Sequence, residues 1–407
     1  MDVGSVGLLR ILVADDSAVM RGVMKTLFLT HAEDRRSELP AMELCGVARD
    51  GLECLEAVRV LQPDVLILDL EMPRMHGLDV LDQLQRECAG LPVIMCSSYT
   101  ENGARSTLDA LARGVSDYVM KPSEQSDFAT ALRMLSEQLL PKVVALGSRA
   151  GRGRKAGAES ERERTKESLR EGLRQTRVDA IVIGVSTGGP SALETLLPRL
   201  PFDLPVPVLI VQHMPKLFTG ELAARLNRCC AMPVTEAYHG ALLAPGTIWL
   251  APGDMHMEVE GQRQGVNVDA CVRVCLHQDA PVNYCRPSVD HLFHSAVKLY
   301  GAGTLALVMT GMGADGLAGA RAVHQAGGVV LAQDEVTSVV WGMPGRVTQA
   351  GIASATLPLL SLADELTKRS WVGRDRARAR SSRSDEIVGP QMFGHKLQVQ
   401  GVTNGML

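Results

Sequence analysis

Two kinds of reactive side chain stand at the ends of apolar runs in this sequence. Asp69 closes the run Val65–Asp69, and Ser186 follows the run Ala180–Gly184 within a Gly-x-Ser-x-Gly sequence at 184–188. A carboxylate and a serine hydroxyl both become nucleophiles when neighbouring groups activate them. The pairing predicts a phosphate-acceptor site in one part of the chain and a serine-nucleophile site in another, as in a switch joined to an enzyme.

Further polar residues follow the apolar runs near Asp69. Asp15 and Asp16 come after the first run, Ser97 and Ser98 follow another, and Lys121 follows a third. Three carboxylates in one crevice would repel each other unless a hard cation lay among them, and oxygen ligands favour Mg²⁺. Asp69 could then attack a phosphoryl group while Mg²⁺ and Lys121 neutralise its oxygens and a serine hydroxyl bonds the new phosphate. The alternative is that Asp15 and Asp16 only cap the next helix.

Ser186 needs a base, and the base needs an orienting acid. His213 ends the apolar run Val206–Gln212, and Asp315 lies in a Gly-rich loop after the run Thr304–Met309. The Gly-x-Ser-x-Gly arrangement lifts a serine onto a sharp strand-to-helix turn and directs the next amide, that of Thr187, toward an oxyanion. The chain order Ser, His, Asp differs from the Ser, Asp, His order of α/β-hydrolases, which favours a different fold with convergent chemistry.

Other interpretations of these residues stay open at this point. The Gly-rich turn could bind phosphate, although it lacks the Lys of a P-loop. His213 could be a hydrogen-bonded core histidine. His291 and His294 lie three residues apart on a predicted helix and could bind a metal, but no carboxylate or Cys spacing completes a site. His256 and the segment Arg286–Asp290 lie in predicted loops that could shape a substrate pocket.

The elements that must position these residues alternate between strand and helix. The first part of the chain predicts five strands at Leu9–Ala14, Glu43–Ala48, Val65–Asp69, Val93–Cys96 and Tyr118–Met120. Amphipathic stretches at Ala18–Leu29, Gly51–Leu61, Gly77–Glu87, Ala104–Ala112 and Asp127–Leu140 separate and close them. This alternation is typical of a parallel sheet with helices on both faces, where ligands bind at the carboxyl ends of the strands.

Composition limits the class of protein. The 407 residues allow two ordinary domains, and 46% apolar with 22% charged residues is a globular composition. A net charge of -4 does not favour nucleic acid as a partner, and nine cysteines without metal-site spacing indicate reduced thiols. No apolar run is long enough for a spanning helix and no leader is evident, so we expect a cytoplasmic protein without direct membrane insertion.

The domain prediction follows from these patterns. We expect one domain at residues 8–140, a charged flexible linker at 141–177, a second domain at 178–367 and a polar, disordered tail at 368–407. The linker and tail are rich in charge and poor in large apolar residues, which cannot support a core.

The first domain resembles response-regulator receiver domains. The resemblance rests on Val13–Ala18, Asp64–Gly77, Met95–Ser98 and Asp117–Pro122. It implies a flavodoxin-like fold of strand order 2-1-3-4-5, with Asp69 as phosphoacceptor and Asp16, Asp69 and the Glu71 carbonyl as Mg²⁺ ligands, Asp15 acting through water. It also implies that Ser97, Lys121 and Tyr118 form the phosphorylation switch. Ser97 stands where many receivers carry Thr, but the hydroxyl is kept.

The second domain resembles the catalytic domain of chemotaxis protein-glutamate methylesterases, the CheB family. The resemblance rests on Gly184–Pro190, Val211–Pro215, Ala251–Asp254, Arg286–Asp290 and Met309–Gly316. It implies a doubly wound α/β domain with a mostly parallel sheet, and it makes Ser186, His213 and Asp315 the catalytic triad. The Thr187 and Met312 amides are the candidates for the oxyanion site.

Together the two resemblances imply a phosphorylation-activated hydrolase. Its expected substrates are glutamate γ-methyl esters, and selected glutamines, on the cytoplasmic domains of methyl-accepting chemoreceptors, which gives chemotactic adaptation. A chemotaxis histidine kinase would be the phosphodonor, Mg²⁺ would serve the receiver alone, and the protein would be recruited to receptor arrays. The alternative function is a phosphorylation-gated adaptor with a non-catalytic effector domain. DNA-binding output is disfavoured because no helix-turn-helix pattern follows the receiver.

Overall fold

Two parallel β-sheets organise the part of the chain that the computed structural model describes. That part comprises residues 8–33, 39–88, 90–122, 127–153, 176–264, 267–268 and 271–374. Most of the predicted linker and nearly all of the predicted tail lie outside these residues. Within the described ranges, no helix combines the length and the apolar character needed to cross a bilayer.

The first sheet is built from the N-terminal third of the chain. Its elements are β1 (Leu9–Ala14), α1 (Ala18–Glu33), β2 (Met42–Ala48), α2 (Gly51–Leu61), β3 (Val65–Asp69), α3 (Gly77–Glu87), β4 (Val93–Ser97), α4 (Glu101–Ala112), β5 (Asp117–Met120) and α5 (Phe128–Gly153). The strands are parallel and lie in the order β2-β1-β3-β4-β5, which confirms the predicted 2-1-3-4-5 sheet. Because β3 and β4 are covered on both faces, every residue of these strands is buried.

Helix α5 continues past the predicted end of this domain. The sequence placed the start of the linker at Pro141, but the helix continues through this proline to Gly153. Val143 and Leu146 continue the apolar face of α5 and are buried in the same cluster as Leu139 and Ile11. Burial of two further turns outweighs the hydrogen bond that Pro141 cannot donate.

The second sheet has seven strands. The elements of this part of the chain are β6 (Ala180–Val185), α6 (Gly189–Leu196), β7 (Val208–Gln212), α7 (Lys216–Cys229), β8 (Val234–Glu236), β9 (Ile248–Leu250), β10 (His256–Glu260), β11 (Arg263–Gln264), β12 (Asn267–Val268), β13 (Arg273–His277), α8 (Val289–Tyr300), β14 (Thr304–Val308), α9 (Leu317–Gln325), β15 (Val329–Gln333), α10 (Met343–Gln349), β16 (Ala355–Leu357) and α11 (Leu359–Ser370). The sheet order is β16-β15-β14-β6-β7-β9-β8, and all its pairings are parallel. Strands β10 and β13 form a separate antiparallel pair.

The C-terminal helix also continues past the predicted domain boundary. Helix α11 runs to Ser370 rather than stopping at the predicted boundary, residue 367. Arg369 and Ser370 are buried, and the Arg369 guanidinium bonds Glu365 one turn earlier at 2.6 Å. The sequence assigned Arg369 and Ser370 to the tail because they are polar. Composition alone does not reveal that Arg369 is paired with Glu365 inside the helix.

Sheet order explains how distant residues meet. In the first sheet, β1, β3, β4 and β5 are consecutive neighbours, so the residues that follow them converge at one edge. In the second sheet, β14, β6 and β7 are neighbours, and their carboxyl ends carry Asp315, Ser186 and His213. Each set lies where parallel sheets bind ligands.

Candidate active site and phosphorylation site

The carboxylates of the first sheet meet around Lys121. The Lys121 ammonium lies 2.7 Å from Asp69 Oδ2 and 3.0 Å from Asp15 Oδ2. Carboxylate oxygens of Asp15, Asp16 and Asp69 lie within 4.8 Å of one another. Burial raises the pKa of Asp69 to about 6, and Lys121 only partly opposes this effect. The three converging carboxylates supply oxygen ligands that fit a hard divalent cation, and the Lys121 ammonium balances part of their negative charge.

A further predicted switch residue, Ser97, lines this crevice. A cavity of about 190 Å³ is lined by Asp69, Glu71, Ser97 and Lys121 among others. The Ser97 hydroxyl is not bonded to Asp69; it accepts from Thr107 Oγ1 at 2.7 Å. The Ser97 hydroxyl is therefore held by Thr107 and the Gly103 carbonyl of helix α4.

Tyr118 faces the second domain. Its ring is buried and stacks on the ring of Phe218 in α7, with the centroids 5.0 Å apart and the planes within 8°. The predicted switch aromatic is thus already packed against the catalytic domain.

Two of the three predicted triad residues are hydrogen-bonded to each other. His213 Nε2 lies 2.8 Å from Asp315 Oδ2, although 102 residues separate them. The Ser186 hydroxyl makes no hydrogen bond to any residue within the described ranges. The second nitrogen of the imidazole, His213 Nδ1, instead lies 3.6 Å from Cys285 Sγ. The structure therefore brings the base and the acid together and leaves the nucleophile unengaged.

Asp315 is fixed by the first turn of α8. Its Oδ1 accepts from the Ser288 hydroxyl at 2.8 Å and its Oδ2 from the Val289 amide at 2.7 Å. Asn283 Nδ2 adds a longer contact of 3.3 Å. Burial is the largest single effect and would raise the pKa of Asp315, but the bond and charge of His213 together with the hydrogen bonds from Val289 and Ser288 outweigh it and lower that pKa to about 2. The carboxylate is consequently charged and held in one orientation, which orients the imidazole.

The imidazole responds in the opposite direction. Burial is the largest single effect and acts to lower the pKa of His213, but the hydrogen bonds and charge interactions with Asp315 and Cys285 together outweigh it and raise that pKa to about 9. A histidine with this pKa is protonated at neutral pH and cannot accept a proton from Ser186. In this arrangement the site is at rest.

Two amides are available near Ser186. Neither the Thr187 nor the Met312 amide donates a hydrogen bond to a described residue, so both remain free to bind an oxyanion. Gly188 makes the turn possible because its φ of 76° is strained for any residue with a Cβ. Gly311 allows a close approach, since a Cβ there would lie 2.8 Å from the Cβ of Ser186.

The first domain contacts both of these amide-bearing residues. The Thr187 hydroxyl donates to Asp117 Oδ2 of β5 at 2.6 Å, and both side chains are buried. Met312 packs with an apolar cluster that consists mainly of first-domain residues. Around them, α4 packs against α6 and α7. The residues proposed to stabilise an oxyanion are thus covered by the domain that carries Asp69.

Sequence reasoning missed Asp117 and Cys285. Asp117 was quoted only as part of the receiver pattern, and Cys285 only as one of nine reduced thiols. Cys285 directly precedes the segment Arg286–Asp290, which was a usable signal for a position near the pocket. The metal alternative for His291 and His294, which the sequence disfavoured against a half-exposed helix face, is not formed: His294 is exposed, and His291 Nδ1 lies 2.8 Å from Glu258 Oε1.

Comparison with known proteins gives two family matches. Residues 181–366 match the family described as CheB methylesterase, and residues 11–133 match the response regulator receiver domain. Among curated relatives, a protein-glutamate methylesterase/protein-glutamine glutaminase of Nocardioides sp. is 44% identical over 89% of this chain and 95% of its own length. The protein of the same name from Azospirillum brasilense is 39% identical over 88% of this chain and 92% of its own.

A solved structure is similar as well. The crystal structure of the Thermotoga maritima CheB methylesterase catalytic domain is 38% identical, with a TM-score of 0.45, over 47% of this chain and 99% of that one.

Proposed function

Because the chain belongs to the CheB family of receiver-linked protein-glutamate methylesterases, we propose that Ser186, His213 and Asp315 hydrolyse glutamate γ-methyl esters under control of phosphorylation at Asp69. The protein is a phosphorylation-regulated protein-glutamate methylesterase and protein-glutamine glutaminase of chemotactic adaptation. Its proposed substrates are the cytoplasmic domains of chemoreceptors, and its proposed phosphodonor is a chemotaxis histidine kinase. We also propose that it acts in the cytoplasm at receptor arrays.

The proposed chemistry uses the nitrogen of His213 that Asp315 leaves free. Asp315 engages Nε2, so Nδ1 takes the proton while Ser186 Oγ attacks the ester carbonyl. The Thr187 and Met312 amides hold the oxyanion of the tetrahedral intermediate. His213 returns the proton to the departing methoxide, which leaves as methanol, and an acyl-enzyme remains. Water, deprotonated by His213, then attacks the acyl carbonyl and releases free glutamate and Ser186.

Glutamine deamidation follows the same path. Only the leaving group changes, since His213 would deliver its proton to the departing amide nitrogen, which leaves as ammonia, rather than to methoxide. The Thr187 and Met312 amides would bind the same carbonyl oxygen in both reactions. One triad therefore supports both activities.

The observation that carries the regulatory proposal is the bond between Thr187 and Asp117. It ties the residue after the nucleophile to β5 of the receiver, one position before the switch residue Tyr118. In the unphosphorylated state the receiver covers the oxyanion residues, and Cys285 occupies the face of His213 that Ser186 needs. Phosphorylation of Asp69 shifts the equilibrium toward a state in which these contacts are released.

Mg²⁺ fits the receiver crevice. Asp16, Asp69 and the Glu71 carbonyl would hold the ion, with Asp15 acting through water, and the ion would supply charge stabilisation to the phosphoryl group. Lys121 neutralises a phosphoryl oxygen, and Ser97 turns toward the new phosphate once Thr107 releases it.

We also propose the domain division. The receiver extends from residue 8 through α5 to Gly153, and the catalytic domain runs from Val178 through α11 to Ser370. The receiver limit rests on the burial of Val143 and Leu146, and the catalytic limit on that of Arg369 and Ser370.

The direct experiment measures methanol release from methylated receptor membranes, with and without a small-molecule phosphodonor. Ser186→Ala is expected to release no methanol with or without the phosphodonor. Full activity in this variant would refute the proposed role of Ser186 as nucleophile. Asp69→Asn is expected to keep the basal rate and lose activation; undiminished activation would refute the switch. Labelling of Ser186 by a serine-reactive phosphonate excludes the adaptor alternative, since an adaptor needs no activated hydroxyl.

A further inference from the structure

Glu258, His277 and His291 converge outside the triad, from three different elements. Glu258 lies in β10, His277 ends β13, and His291 lies in the first turn of α8. Glu258 Oε1 is 2.8 Å from His291 Nδ1 and 3.4 Å from His277 Nε2. One ligand atom from each residue lies within 4.8 Å of the others.

The contacts of His277 are those of a ligand rather than of a hydrogen-bonded imidazole. Its Nδ1 lies 3.2 Å from Asp279 Oδ2, and its Nε2 lies 3.4 Å from Glu258. Both nitrogens are shielded from solvent, yet neither contact has hydrogen-bond geometry. Shielded nitrogens without hydrogen bonds are costly unless something else satisfies them. An ion bound at Nε2 would satisfy that nitrogen, and Asp279 would then orient the other.

A third imidazole, that of His256, supports the pair without joining it. Its ring centroid lies 4.0 Å from that of His291. Its Nδ1 accepts from the Ser288 amide at 3.2 Å, which places its proton on Nε2, facing the Ala280 carbonyl at 3.3 Å. Burial and the neighbouring His291 lower the pKa of His256. His256 is therefore a neutral packing partner whose two nitrogens are both committed.

We propose that Glu258, His277 and His291 bind a Zn²⁺ ion. Two imidazoles and one carboxylate form a three-ligand set that suits zinc, with a fourth position left for water. Zinc–ligand bonds of about 2.0–2.1 Å place tetrahedral ligand atoms roughly 3.3 Å apart. Glu258 Oε1 lies 3.4 Å from His277 and 2.8 Å from His291, so the ion would replace the Glu258–His291 hydrogen bond. The His277 and His291 side chains are 22% exposed and Glu258 is 34% exposed, so an ion can enter.

The ion would link the β10–β13 pair to the start of α8. That turn contains Ser288 and Val289, which both donate to Asp315. The three ligands thus act as positioning residues for the turn that holds Asp315, and none of them touches the reacting atoms. The site is independent of phosphorylation at Asp69.

The first test is calorimetric titration of the full-length protein with ZnCl₂ in excess MgCl₂, which fills the oxygen-only crevice of the receiver. Wild type and His294→Ala, an exposed neighbour on α8, are expected to show the same stoichiometry. Glu258→Gln, His277→Ala and His291→Ala are expected to show one site fewer. Equal stoichiometry in all five proteins, or loss of a site in His294→Ala, would overturn the proposal.

Spectroscopy separates this site from a thiolate site, which matters because Cys285 contacts His213. Co²⁺ in the proposed site gives tetrahedral visible bands without sulfur-to-cobalt charge transfer, and Glu258→Gln abolishes those bands. Bands accompanied by charge transfer, and unchanged in Glu258→Gln, would refute the assignment. If a histidine variant does not fold, the near-isosteric Glu258→Gln variant is compared with wild type in a thermal-melting assay. ZnCl₂ should raise the melting temperature of wild type and leave that of Glu258→Gln unchanged, and an equal rise in both would refute the site.

Discussion

Replacing Asp117 by alanine should activate the enzyme without phosphorylation. Asp117 lies in the receiver, and its carboxylate accepts from the Thr187 hydroxyl at 2.6 Å across the domain boundary. The two side chains are only 4% and 5% exposed, so water does not compete for this bond. A hydrogen bond to a charged group contributes about 1.5–3 kcal/mol. Its loss should move the closed-to-open ratio by roughly 10- to 150-fold toward the open state.

The assay is the ratio of unphosphorylated to phosphorylated methanol release. Taking this ratio cancels any direct effect of the substitution on the chemical step. Thr187→Val removes the same bond from the catalytic side and keeps the Thr187-position amide, so it should raise the ratio similarly. The double variant should add little to Asp117→Ala, because that variant already removes the bond to Thr187 together with the ion pair of Asp117 with Lys142.

A matched control lies on the same domain boundary. Arg105 and Glu221 form an exposed ion pair at 2.9 Å, with 61% and 25% of their side chains accessible. Such pairs contribute about 0.2–1 kcal/mol, so Glu221→Gln should change the ratio by less than about fivefold. If Asp117→Ala changed the ratio no more than Glu221→Gln while remaining folded, the buried bond would not hold the closed state.

Four further outcomes follow from the described contacts. Unphosphorylated activity should rise with pH toward about 9, because His213 must lose its proton to act as base; a flat pH profile of kcat/KM would contradict this. Asp315→Asn should lower the kinetic pKa of His213, because burial then acts unopposed by the carboxylate, and should reduce kcat by about 10⁴-fold in steady-state assays. Gly311→Ala should reduce kcat by roughly 100-fold, since its Cβ would lie 2.8 Å from that of Ser186 and displace the nucleophile; circular dichroism checks that the fold is kept. Phe293→Ala should lower the free energy of unfolding by about 3–5 kcal/mol in urea titrations, because this ring is fully buried in the catalytic domain.

The sequence determined the elements and the edge at which each site lies. Apolar runs ending in Asp69, Ser186 and His213 identify strands, and the carboxyl ends of parallel strands share one edge. This is local information, because a run of buried residues and the polar residue after it are adjacent in the chain. The 2-1-3-4-5 sheet was reached through the family resemblance, and the observed pairing confirms it.

Only the tertiary structure decided which side chains meet across elements. The contacts of Asp117 with Thr187, of Cys285 with His213, and of Glu258 with two histidines each join separate elements. These distances depend on how helices and sheets pack and on which rotamers the packed side chains adopt. No local sequence pattern encodes these distances. Local sequence determines the tendency of a segment to form a helix or a strand, whereas the contacts between segments depend on how the whole core packs. The sequence therefore determined which groups can react, and the packing decided that Thr187 is bonded to Asp117 of the receiver and that His213 contacts Cys285.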